Sequence, residues 1–150
     1  MAGAAAADDA GPARVVSLNV CTDQLALLMA APGQLVSVSP LAHDPRSSAM
    51  AREAASFPAN HAHAEEIALL EPDLVLAGNF TARAATDMLD KLGYHVERFN
   101  PANSLEDVRD NIARMGTLLG RETEARALLA RFVTRLAELN DAPETRPVVA

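Results

Sequence analysis

Tryptophan is missing, and aromatic residues of all kinds make up 3% of the 150 positions, so a buried core must be assembled from Leu, Val, Ile and Ala. Cysteine occurs once, as Cys21, which excludes an internal disulfide and any metal site built from several thiolates. No apolar run reaches the roughly 18 residues that a membrane-crossing helix requires. Basic charge is in short supply. The 13 Lys and Arg stand against 20 Asp and Glu, and the net charge of -7 argues against duplex nucleic acid, which selects a basic face. Acidity favours solubility and by itself names no partner.

What remains is 49% apolar and 22% charged, the balance of a soluble globular chain. At this length one domain can bury about 70% of its unfolded surface. Residues 1–13 are Ala-rich and carry Asp8 and Asp9, without the basic and Leu-rich segments of a secretory signal. They read as a leader remnant around a small-residue cleavage site, ahead of a mature domain. From Arg14 onward, β-branched runs alternate with helical patterns. Val15 to Leu18, Leu35 to Val38, Asp73 to Gly78 and His95 to Phe99 are predicted strands. The last belongs near a sheet edge, because Val96 and Phe99 stand among polar neighbours. Thr22 to Ala31, Ser47 to Ala55, Ala64 to Leu70 and Thr81 to Leu92 are predicted helices, with Pro32-Gly33, Pro72 and Gly93 as stops. Ser104 caps the next helix, whose apolar face is Leu105, Val108, Ile112, Met115 and Leu119. Glu122 to Leu139 then carries an apolar stripe from Ala125 through Leu128, Phe132 and Leu136 to Leu139, read as core packing. Glu122 and Glu124 lie in its first turn, where the helix dipole favours them.

This alternation predicts an α/β fold: a Rossmann-like open, mostly parallel sheet flanked by helices, with a long carboxyl-terminal helix. In such sheets ligands bind at the carboxyl ends of the strands. The loops there are Asn19 to Asp23, Ser39 to Asp44, Gly78 to Thr81 and Asn100 to Asn103. Past Asp141-Ala142-Pro143, the segment Arg146-Pro147-Val148-Val149-Ala150 reads as a strand that opens a second domain.

One order of motifs is distinctive. A strand, Asn19-Val20-Cys21-Thr22-Asp23, a helix, a strand, Ser39-Pro40 and a loop lead into the stretch from Ala64-Glu65-Glu66-Ile67 to Glu71-Pro72-Asp73-Leu74-Val75-Leu76-Ala77-Gly78. This series resembles the amino-terminal lobe of the helical-backbone binding proteins that carry cobalamin, ferric siderophores and haem to ABC importers. Leu92-Gly93-Tyr94-His95-Val96 and the Ser104 helix follow in the expected order, and the Glu122 helix is similar to the rigid helix between the two lobes. The resemblance spans Arg14 to Ala150. It implies a leader remnant at 1–13, an amino-terminal ligand-binding lobe at 14–120, an interlobe helix at 121–142 and the start of a truncated second lobe at 143–150. It further implies a periplasmic carrier and not an enzyme, with no cofactor or metal site of its own. A metal-chelate or corrinoid ligand is held between the lobes, and the membrane is met only through the importer permease. Cobalamin carriers often place an acidic residue near the start of the helix after the third strand, for docking to the permease. The aligned position here is Arg83, which implies docking either through another acid, such as Glu53, or in a different geometry.

Candidate ligand contacts come from the four loops. Asn19, Cys21 and Thr22 stand where the first strand becomes a helix; the local alternative makes Thr22 or Asp23 the cap and Cys21 a small buried hydrophobe. Pro40, Leu41 and His43 lie on the second loop. There His43 and Asp44, with Arg46 nearby, invite a catalytic reading that no nucleophile-elbow serine supports. Asn79, Phe80, Thr81 and Arg83 follow the third strand. Phe80 either offers a flat contact to a corrin, haem or siderophore or plugs the sheet end while Thr81 caps the helix. Arg83 is either a partner for ligand carboxylates or an exposed helix residue. Asn100 opens the fourth loop. His61 and His63 precede Glu65 and Glu66, but their loop spacing and the lack of a third nearby imidazole favour solvated and capping roles over a metal site.

A competing reading is an enzyme domain of chelatase or reductase type, since this architecture hosts many functions. No Gly-rich phosphate loop follows the first strand, which weakens that reading. No cationic cluster suited to a strongly anionic siderophore is evident, which leans the ligand toward cobalamin or a less charged iron chelate.

Overall fold

Val15–Ser17 (β1), Leu35–Ser37 (β2), Leu74–Gly78 (β3) and Val96–Phe99 (β4) lie side by side in the order β2-β1-β3-β4, every pairing parallel. They are seen in a computed structural model that describes residues 11–140. Val15 stands beside Leu35 on one side and Leu74 on the other, and Val75 stands beside Val96. Val20–Met29 (α1) carries the chain from β1 to β2, and Ala51–Ala54 (α2) with Ala64–Leu69 (α3) from β2 to β3. Arg83–Lys91 (α4) leads to β4, and Leu105–Leu119 (α5) and Glu122–Asn140 (α6) follow as a packed pair. The fourth strand takes the edge position expected for it. Helices cover both faces of the sheet, which is why its strands read as nearly unbroken apolar runs. No described helix is long and apolar enough to cross a membrane.

Alternate strand residues feed two cores. Val15, Leu74, Leu76 and Phe99 join Met29 of α1 and Met115 of α5 on one face. Val16, Val75 and Ala77 join Ile67 of α3 and Leu89 of α4 on the other. Fully burying a Leu- or Met-sized side chain is worth about 1.5–3 kcal/mol, so these two layers supply the main drive for closing the lobe. Helices α5 and α6 meet at Gly116, where an added Cβ would stand 2.3 Å from the Ala125 Cβ. The approach buries Ala125 and brings Leu128 and Leu129 against the α1–α5 core. The apolar stripe of α6 is core only over this first part. Val133 and Leu139 are exposed, because the 19-residue helix runs on past the surface it packs against.

The loop after β2 departs most from expectation. Where Ser47 to Ala55 reads as a helix there is only the single turn Ala51–Ala54, and a 3-10 turn, Pro40–His43, occupies part of the predicted loop. Asp44 accounts for the lost helical start. Its carboxylate accepts the Arg46 N–H at 3.0 Å and the Ser47 hydroxyl at 3.1 Å, fixing a local turn instead. Residues 1–10 and 141–150 lie outside the described residues, and with them most of the leader reading and the strand expected at Arg146 to Ala150. Pro12 and Ala13 are bonded to the rest of the fold: the Pro12 carbonyl accepts from Gln34 Nε2 at 2.8 Å, and the Ala13 N–H donates to Asp73 at 2.9 Å.

Candidate functional site

β1 and β3 are neighbours, yet the chain leaves β1 toward β2 and β3 toward β4. The two loops therefore diverge and open a crevice at the strand ends. Asn19 builds one wall. Its extended backbone (φ -144, ψ 137) places it just before α1, where Oδ1 accepts the Cys21 N–H at 2.9 Å and caps the helix. Thr22 and Asp23, the residues expected to cap, are already inside the first turn and direct their side chains elsewhere. The Asn19 amide nitrogen donates across the crevice to Thr81 Oγ1 at 3.0 Å. Gly78 permits that contact, since a Cβ there would stand 2.9 Å from Thr81 Oγ1 and 3.0 Å from Asn19 Nδ2.

The other wall is a tight turn. The Thr81 N–H donates to the Gly78 carbonyl at 3.0 Å, so Asn79 and Phe80 occupy the corner. Phe80 is thereby thrust outward, 79% exposed, and does not plug the sheet end. Thr81 does not cap α4 either. Ala82 takes the cap position in the left-handed region (φ 41) and offers no side-chain bond, a conformation that costs an L-residue about 1–2 kcal/mol. Asn79 donates to the side-chain carbonyl of Asn100 across the β3–β4 ends. With Asn111 of α5, and with Leu25 and Phe99 beneath, these residues surround a concavity of about 150 Å³. Among the described residues, no Asp, Glu, Lys, Arg or His lines it. Its one titratable side chain is Cys21, which is exposed rather than a small buried hydrophobe.

Seven of the residues picked from the sequence meet here: Asn19, Cys21, Thr22, Asn79, Phe80, Thr81 and Asn100. Thr22 is buried and its hydroxyl is already engaged with Ser17 Oγ at 2.8 Å and the Asn19 carbonyl at 2.9 Å. Arg83 lies in a separate depression with Phe80, Asp87 and Arg98. The other three stand apart, because β2 and the loop after it occupy the far edge of the sheet. Pro40 and Leu41 are exposed on the 3-10 turn, outside the concavity. His43 turns inward, its Nε2 lying 2.9 Å from the Ala54 carbonyl and 3.1 Å from that of Phe57. Two carbonyl acceptors on one ring nitrogen hold the proton there, so this imidazole clasps the loop. His61 pairs with Glu66 at 3.3 Å, and no group of three metal-ligating side chains forms among the described residues. Asn111 escaped the sequence reading. Its one signal is its place beside the apolar stripe of α5, three residues past Val108 and four before Met115.

Behind the crevice, Asp23 ties the loop after β2 to α1. The Ser39 N–H reaches both of its buried oxygens, at 3.2 and 3.3 Å, and the Ser39 hydroxyl donates at 2.5 Å. Burial pushes the Asp23 carboxyl above its usual 3.8, and the Ser39 hydrogen bonds only partly oppose this. With the folded pKa above the unfolded one, the folded chain binds the proton more tightly. Asp23 therefore gains stability as pH falls through its folded pKa toward 3.8, and costs stability once ionised. Asp23→Asn removes this titration. Urea midpoints taken from neutral pH down to about 4 should show wild type gaining on the variant as the solution is acidified. A difference that does not vary with pH would mean that the carboxyl is not perturbed.

An open parallel sheet with helices on both faces and a concavity at its switch point is the α/β architecture in which ligands meet the carboxyl ends of the strands. The chain belongs to the periplasmic binding protein family, whose profile matches residues 15–147. A cobalamin-binding protein of Halobacterium salinarum is 29% identical over 138 residues, covering 91% of this chain and 37% of that protein. A possible iron-binding (periplasmic solute-binding) protein of Staphylococcus epidermidis superposes with a TM-score of 0.77 at 20% identity, over 90% of this chain and 53% of the other. A periplasmic haem-binding protein of Pseudomonas aeruginosa gives 0.72 at 22% identity, over 87% of this chain and 46% of the other. At such identities the two structures speak to the fold. The chain spans 37% of the length of the curated relative and about half of each solved structure.

Proposed function

We propose that this chain is the amino-terminal lobe of an extracytoplasmic, periplasmic solute-binding protein serving an ABC importer. It captures cobalamin, or a ferric siderophore or haem, against a second lobe and hands it to the permease, with no chemical step. In this reading residues 14–120 are the binding lobe and α6 is the helix that leads to the other lobe. The observation that carries this reading is Phe80, held 79% exposed by its turn at the rim of an uncharged concavity. An outward ring beside amides suits one face of a flat metal chelate, and covering such a ring buries about 150–250 Å². The concavity, about 150 Å³, is well below the roughly 300–1,000 Å³ of sites that enclose a drug-sized ligand. This lobe therefore meets one side of the ligand and another surface meets the rest. The exposed Val133 and Leu139 of α6 support a helix that serves two lobes. Family membership supports the location, and the cobalamin-binding relative supports the ligand class. For docking, Arg83 leaves the role to an acid elsewhere, and Glu53, exposed on α2, is the residue proposed.

Equilibrium dialysis tests the reading. The reading frame that contains this chain, expressed to its stop codon, is dialysed against cobalamin, haem and ferric siderophores, each followed by its own absorbance. Retention of one at about micromolar Kd or tighter, worth about 8 kcal/mol, is expected. Retention of none overturns the carrier reading.

A further inference from the structure

Two arginines flank the concavity, and both are occupied. Arg98, on β4, donates to Asp90 at 2.6 Å and to Asp87 at 3.3 Å. Arg114, on α5, lies 4.5 Å from the centroid of the Phe99 ring, donates to the Arg98 carbonyl at 2.8 Å and reaches Glu97 at 2.5 Å. Burial would raise the Glu97 carboxyl, but the bonds from His95 and Arg114 outweigh it and hold the group below its usual range, ionised at neutral pH. Asp107 and Asp110 stand on the Arg114 side of Phe80. Arg83 has no ion pair among the described residues, but it shares its depression with Asp87 rather than lining the concavity. Among the described residues around Phe80, three arginines thus stand against five carboxylates: Asp87, Asp90, Glu97, Asp107 and Asp110.

What the concavity offers instead is amide. Asn79 and Asn100 are bonded to each other through one N–H and one carbonyl, which leaves the Asn79 carbonyl oxygen and the Asn100 amide nitrogen without protein partners among the described residues. Asn111, whose amide nitrogen donates to the Asn100 backbone carbonyl at 3.5 Å, and Asn19, whose two polar atoms are already engaged, bring the primary amides of the lining to four. Each such side chain both donates and accepts, so the set matches a ligand edge of amides, carbonyls or hydroxyls. An ionised carboxylate or catecholate brought to the same surface would lose water without gaining a cation, inside a rim of net negative charge.

We infer that this lobe selects ligands whose contacting face is uncharged and amide-rich, such as an amide-bearing corrinoid or a neutral hydroxamate chelate, over ligands that present carboxylates or catecholates. The pairing of Arg98 with Asp90, and of Arg114 with Glu97, enforces that choice by withholding both cations. The inference rests on the carrier reading proposed above.

The test uses the full reading frame and four probes: cyanocobalamin, a neutral cyclic-peptide ferric trihydroxamate, haemin and a ferric tris-catecholate. One neutral probe is expected to bind at least about tenfold more tightly than either anionic probe. Its Kd should change by less than about twofold between low and high salt, as expected when no charge pair forms. Comparison of the two neutral probes tells a corrinoid from an iron chelate. Haemin or the tris-catecholate binding as tightly as the neutral probes overturns the selectivity and leaves the carrier reading standing. Retention of no probe overturns the carrier reading itself. The double variant Asp90→Asn with Glu97→Gln releases both arginines from the stronger of their partners. Its affinity for haemin should rise about fivefold, while the neutral probe changes by less than about twofold. An unchanged haemin affinity in a variant with wild-type circular dichroism overturns the role given to the pairs. Should the double variant fail to fold, Asp90→Asn alone, at an exposed position of α4, puts the same question to Arg98.

Discussion

Gly116→Ala is expected to lower stability by about 2–3 kcal/mol, although it adds one methyl group at a helical position where alanine is intrinsically the better residue. The reason is the facing helix. The new Cβ would stand 2.3 Å from the Ala125 Cβ and 3.3 Å from the Arg121 carbonyl oxygen, whereas carbons pack at about 3.5–4.0 Å. The two helices have little freedom to part, because the turn between them is pinned. The Arg121 N–H donates to the Gly116 carbonyl at 2.7 Å, and the Arg121 guanidinium donates to the Met29 carbonyl at 3.1 Å. Helix α6 must tilt, and Leu128 and Leu129 then lose part of their contact with the α1–α5 core. Thermal unfolding followed by circular dichroism should show a drop of about 5–10 °C. The exchange Gly116→Ala with Ala125→Gly, which moves the methyl from one helix to the other, should recover much of the loss. A single variant within about 1 °C of wild type would mean that the helices are not locked at this point.

Much of the framework was legible because it depends on local periodicity. The runs at Val15, Leu35, Leu74 and Val96 alternate with helical patterns, and only a parallel sheet joined by crossovers accommodates that order. Ser104 accepts from the Asp107 N–H at 3.0 Å, as its spacing suggested. The site was legible as a set of loops but not as a shape. Which loops converge is set by strand order, and β2 proved to lie at the far edge, taking Pro40, Leu41 and His43 away from the concavity. The cap was expected at Thr22 or Asp23, and Asn19, an equally good capping residue, takes it instead. The choice fell to the residue whose backbone is extended. Long-range polar partners leave no local trace at all. Asn60 sits in a Pro- and His-rich stretch that reads as solvated, yet it is buried. Its amide nitrogen shares its two hydrogens among the Ser17 carbonyl (3.0 Å), Ser37 Oγ (2.8 Å) and the Val38 carbonyl (3.0 Å), tying β1 to β2. The order of motifs from Asn19 to Gly78 fared better than any single motif, and the family profile covers that whole stretch.

Phe80→Ala is expected to cost about 2 kcal/mol of binding, a roughly thirtyfold rise in Kd, while leaving the folded lobe as stable as before. Both halves follow from the same fact. The ring is 79% exposed, so its removal opens no cavity, and a surface change of this kind shifts stability by at most about 0.5 kcal/mol. In the proposed complex the ring would be covered, and its apolar area would contribute only then. Phe80→Tyr keeps the flat face and should bind within about threefold of wild type, whereas Phe80→Leu keeps apolar character without the plane and should fall between the two. The probe is cyanocobalamin, or whichever of the four compounds the wild type retains. Dialysis and thermal unfolding on the same preparations separate the outcomes. Unchanged affinity in Phe80→Ala would place the ligand elsewhere on the lobe. A fall in stability that matches the loss of binding would make Phe80 a structural residue of the Gly78–Thr81 turn.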